Sequence, residues 1–155
     1  MRIGTAVLLA GAAVVGVGVA RLRQEAKHQQ EQVDIALTQN QLGWLEQVFT
    51  DPAVAAKWAP AGMGVEEYMG LMSANHMFCS LGLRDQLGRV NTHQLHLYAS
   101  MIMSNEVARR YWERFGHLRV QESLGDPRAE RLNDALARAA DMATLAEPQN
   151  QPATA

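Results

Sequence analysis

The sequence predicts an all-α protein, and three observations carry that prediction. Apolar side chains recur at three- and four-residue spacings in the long segments of the body. The pairs Asp51-Pro52 and Asp126-Pro127 each join a capping carboxylate to a proline suited to the first helical position. No segment has the β-branched, period-two alternation of a strand. The expected architecture is an N-terminal transmembrane helix followed by a compact bundle of about five to six helices. It divides into an anchor over residues 1–23, a helical domain over 24–146 and a disordered tail over 147–155.

The anchor is read from Ile3 to Ala20, which hold no charge and a single hydroxyl, Thr5. Eighteen helical residues rise about 27 Å, close to the hydrocarbon thickness of a bilayer. Half of them are Gly or Ala, so the span is only moderately apolar. Two rivals share the pattern: a signal peptide cleaved after Gly18-Val19-Ala20, and a buried core helix. No polar region precedes that cleavage site, and Arg21, Arg23 and Lys27 form a basic flank of the stop-transfer kind. The resulting expectation is a single-pass protein of the cell membrane. The basic excess behind the span places the helical domain in the cytoplasm, and a lone Cys79 agrees with a reducing compartment.

Behind the anchor, Glu25 to Phe49 fits one helix with Ile35, Leu42, Leu45 and Phe49 on its apolar face, flanked by Val33, Leu37, Trp44 and Val48. Gln29, Gln30, Glu31 and Gln32 would form a solvated stalk. Asp51-Pro52 opens a short helix ending near Trp58, and Pro60-Ala61-Gly62 makes a loop. Glu66 and Glu67 suit the positive end of a helix that runs to Leu81, with Gly82 as its left-handed stop. Asn91 or Thr92 caps a helix through Met103. Ser104 caps the next, which carries Ala108, Tyr111, Trp112 and Phe115 on one face and ends at Gly116. Trp112 and Phe115 are expected to be buried and Tyr111 partly so. Asp126-Pro127 opens the last helix, whose stripe is Leu132, Leu136, Ala139 and Met142, opposite the charged Arg131, Asp134, Arg138 and Asp141. The tail EPQNQPATA has two prolines and no large apolar residue.

The formal charge of −2 gives no global field that would attract nucleic acid, which is not expected as a partner. Six of the eight methionines fall in the centre of the chain, at Met63, Met69, Met72, Met77, Met101 and Met103. Thioethers at such spacing serve core packing, with a methionine-lined groove as the alternative.

The segment Leu45 to Trp58 (LEQVFTDPAVAAKW), Glu67-Tyr68 through Asn75 to Leu81-Gly82-Leu83, and Ser104 through Arg110-Tyr111-Trp112-Glu113 follow a familiar order. In that order the chain resembles an actinobacterial domain-of-unknown-function family (DUF6082-like), small helical proteins often carrying an N-terminal hydrophobic segment. The resemblance covers about Gln24 to Arg119. It implies a small helical domain and carries over no catalytic residue.

Few constellations could hold chemistry. His93 and His96 stand three apart on one predicted helix, a spacing that lets two imidazoles face one metal, with Glu106 or His76 as loose third ligands. They read as surface or partly buried histidines. Cys79 follows His76 by three residues but lies near the C-terminal end of its predicted helix, where the dipole disfavours a thiolate. It reads as a buried small side chain. Glu66 and Glu67 diverge by about 100° and form no facing acid pair. Arg109, Arg110, Arg114 and Arg119, interrupted by Glu106, Glu113 and Glu122, read as a solvated face with ion pairs, with a membrane-surface contact as the alternative.

The expectation is therefore a membrane-anchored helical domain acting through protein or membrane contacts. No catalytic, cofactor-binding or metal-ligating residue is assigned. Its partners would be membrane lipid through residues 3–20 and a protein or a second copy, the latter through the small-residue face Ala12, Gly16 and Ala20. The alternative from a different class is a small enzyme or metal-binding protein using His93, His96 and Cys79.

Overall fold

The computed structural model describes the backbone of residues 3–146 and the side chains of residues 23–146. It is all-helical: α1 (Ile3–Thr50), α2 (Pro52–Trp58), α3 (Val65–Gln86), α4 (Thr92–Met103), α5 (Glu106–Glu122) and α6 (Pro127–Ala146), with no strand among the described residues. The expected anchor, Ile3 to Ala20, and the expected tail, 147–155, lie outside the described side chains. Among the described residues no helix is long and apolar enough to cross a membrane.

The chain divides into two units, Met1–Gln39 and Asn40–Ala155. The described backbone of the first, residues 3–39, belongs to α1, and its described side chains are solvent-facing except for the half-buried Ile35 and Thr38. Val33 and Leu37, which the sequence places beside an apolar face, are 57% and 62% exposed. The second unit holds the core. There Leu45 and Val48 of α1 and Ala55 of α2 are buried. The larger cluster comes from α3 to α6, with Phe78, Leu71, Leu95, Met103 and Leu136 fully enclosed. Helix α4 packs on α6, α3 on α5, and α6 also touches α3 and α5.

Helix starts follow the sequence closely because caps are local chemistry. Asp51 Oδ1 accepts from Ala53 N at 2.8 Å and Val54 N at 3.3 Å. Asp126 Oδ1 accepts from Arg128 N at 3.0 Å and Ala129 N at 3.3 Å. Asn91 and Gln94 form a reciprocal capping box, with bonds of 2.9 and 3.0 Å.

Three boundary expectations need correction. Helix α3 runs through Gly82 to Gln86, and the left-handed stop is Gly88, at φ 66°. Arg89 N reaches back to Arg84 O at 2.9 Å, closing the end of α3. Gly82 serves packing instead, since a Cβ there would meet Leu132 Cδ2 at 3.1 Å. Helix α5 likewise continues through Gly116, whose missing side chain makes room for the Trp112 indole; a Cβ would lie 2.9 Å from Trp112 Cδ2. Ser104 closes α4 and Asn105 caps α5, because the Asn105 amide oxygen reaches Val107 N at 2.8 Å.

Burial on α5 is also redistributed. Tyr111 is the enclosed ring, at 6% exposure, while Trp112 and Phe115 are half-buried against the cluster. On α6, Leu132, Leu136 and Ala139 are buried as expected, but Met142 is 69% exposed.

Candidate functional site

The sequence candidates do not converge. His93 and His96 are exposed on α4, and among the described residues no group of three His, Cys, Asp or Glu side chains is placed to hold a metal ion. His76 is half-buried with its ring edge-on to Phe49, the centroids 5.2 Å apart. Cys79 lines a different cavity from His76, and its thiol approaches Asn75 Oδ1 at 3.6 Å.

Two cavities define what the second unit can bind. The larger is an apolar groove of about 370 Å³ between α3 and α4. Helix α3 contributes His76, Ser80 and Arg84 at four-residue steps, so they form one row along the wall, with Met77 and Leu81 beside them. Helix α4 contributes Tyr98, Met101 and Ile102. Met101 is 62% exposed, and the neighbouring turn of α4 presents Leu97 at 51%. Among the described residues no acidic side chain pairs with Arg84, and the Ser80 and Tyr98 hydroxyls have no hydrogen-bond partner. Of the six central methionines, Met77 and Met101 line this groove.

The smaller cavity, of about 220 Å³, has a mixed polar and apolar lining and lies among α3, α5 and α6, with Gln41 of α1 at its wall. Arg119 of α5 dominates it. Its guanidinium lies over the Phe78 ring, and Nη1 donates to Asn75 Oδ1 at 3.1 Å. Asn133 of α6 donates from Nδ2 to the Arg119 carbonyl at 2.9 Å, which fixes the orientation of its amide. Arg119 Nε and Asn133 Oδ1 are both buried without a partner. Burial raises the Tyr111 hydroxyl above its ordinary value, and the nearby Arg119 guanidinium opposes that shift.

The expected solvated basic face is thereby resolved residue by residue. Arg110 pairs with Glu106, and Arg114 reaches Glu67 of α3 at 3.8 Å while its guanidinium lies 5.6 Å from the Phe115 centroid. Arg109 closes the end of α4 by donating to Met103 O at 2.9 Å and Ser104 O at 3.1 Å. Arg119 belongs to the interior. Sequence reasoning missed the groove residues Ser80, Arg84 and Tyr98, and the Arg119 partners, half-buried Asn75 and buried Asn133. The four-residue row His76, Ser80, Arg84 was a signal for the first; no local signal marked the second.

No curated protein and no solved structure matches this chain. A family model does, over residues 1–154, nearly the whole sequence. On that match, the chain belongs to the family of unknown function DUF6082.

Proposed function

We propose that the protein is a membrane-anchored binding domain that works by contact rather than catalysis. The α3–α4 groove is its contact surface, and Ile3 to Ala20 is its single membrane span, with the helical domain in the cytoplasm. One observation carries the reading: an apolar groove lined by Met77, Leu81, Tyr98, Met101 and Ile102 stands open at the surface. Flexible thioethers adapt to varied apolar shapes, and a concave apolar lining with a few polar groups is the usual form of a binding site. Support for the anchor comes from sequence: eighteen uncharged residues between Arg2 and the basic set Arg21, Arg23 and Lys27.

The test uses the full chain with a C-terminal tag. Carbonate extraction should leave it in the membrane pellet, and protease protection should place the tag on the cytoplasmic side. A soluble form beginning at Arg21 would replace the anchor with a signal peptide. A photo-crosslinking side chain at Met101 should yield adducts in the native membrane fraction. The same probe at Leu124, which is 73% exposed and outside the groove, should not. Equal labelling at both positions would refute the groove as a specific surface.

A further inference from the structure

We infer that the α3–α4 groove takes a single-chain anionic amphiphile, its alkyl chain lying between α3 and α4 and its acidic head at Arg84. This rests on the reading of the groove as the binding surface and specifies what fills it.

The lining is asymmetric in a way that matches such a ligand. Leu81, Met77, Met101 and Ile102 offer apolar contact, whereas the row His76, Ser80, Arg84 runs along one wall. From His76 to Arg84 the helix rises about 12 Å, roughly the length of a ten-carbon chain laid out straight. Arg84 lies in the last turn of α3, is exposed, and pairs with no acid among the described residues. A guanidinium left free at the end of an apolar slot recognises a carboxylate or phosphate oxygen pair through its forked N–H groups. The unpartnered hydroxyls of Ser80 and Tyr98 can serve the same head or its bound water. A volume of about 370 Å³ is on the scale of a small-molecule site, and narrow for the row of anchors that a docked helix inserts.

The experiment places the full chain in phosphatidylcholine nanodiscs with carbon-13 methyl-labelled methionine. Decanoate is titrated below its micelle concentration, alongside decyltrimethylammonium, which has the chain with the opposite charge, and acetate, which has the head without the chain. The Met77 and Met101 methyl signals should shift saturably with decanoate and not with acetate, while Met63 and Met142 stay in place. Arg84→Gln, an exposed substitution, should weaken decanoate binding about tenfold, the loss of one charge-assisted contact. An equal response to decyltrimethylammonium, or unchanged decanoate affinity in Arg84→Gln, would overturn the assignment of the head. No decanoate response together with protein crosslinks at Met101 would overturn the amphiphile and leave the groove as a protein-binding surface. No response and no crosslinks would remove both readings.

Discussion

Arg119 places its guanidinium carbon 5.5 Å from the centroid of the Phe78 ring, so a cation from α5 closes over the largest fully buried side chain of α3. The contact joins two helices that also share the Asn75–Arg119 bond, and Asn133 ties α6 to the same point. Arg119→Lys keeps the charge but loses the planar stack and the fork. It should destabilise the protein by about 1–2 kcal/mol in thermal or urea unfolding. No change would mean that the cost of the unpartnered Arg119 Nε cancels the stack.

Asp85 and Arg131 form an unequal pair. The carboxylate side chain is 2% exposed and the guanidinium side chain 46%, and Asp85 holds Arg131 above its ordinary value through their hydrogen bond and charge. Removing either partner therefore has different consequences. Arg131→Met strands a buried carboxylate and should cost about 3–5 kcal/mol. Asp85→Asn leaves a cation that water can solvate and should cost about 1–3 kcal/mol. Equal losses in the two variants, measured by denaturant unfolding, would contradict the inequality of burial.

Glycine substitutions separate space from backbone freedom. Gly43 lies inside α1 with nothing within 4 Å of a would-be Cβ, so Gly43→Ala should stabilise by about 0.5–1 kcal/mol. Gly116→Ala must displace the Trp112 indole and should destabilise, with a shift in tryptophan fluorescence. A stabilising Gly116→Ala would show that the indole moves freely into solvent.

Tyr111 should ionise above the ordinary tyrosine value, because its burial disfavours the phenolate more than the nearby Arg119 guanidinium favours it. A tyrosine whose folded value is raised contributes stability that is present below pH 10 and is lost as pH rises toward the folded value. Ultraviolet titration should show a late-ionising phenol, and Tyr111→Phe should abolish that late step.

These relationships mark where sequence reasoning held and where it stopped. Asp51, Asn91 and Asp126 were legible as caps because the bond that makes a cap spans only two or three residues. Gly82 and Gly116 were read as stops because a glycine near the end of an apolar run has two uses, and only the arrival of Leu132 or Trp112 tells them apart. Arg119 belonged by spacing to a solvated face; its partners Asn75 and Phe78 come from more than forty residues earlier in the chain. Met142 fitted the α6 stripe by period, yet the helix outruns the core that would have covered it.

That α6 touches α3, α4 and α5 sets the order in which the polypeptide can mature during synthesis. Leu132, Ala135, Leu136 and Ala139 supply one wall of the core, and until about residue 140 has left the ribosome the apolar faces of three earlier helices stand open to water. A nascent chain arrested near Ser123 is therefore a sticky intermediate, a substrate for chaperones and proteases. The core of α3 to α6 closes only once the buried stripe of α6 is available to it.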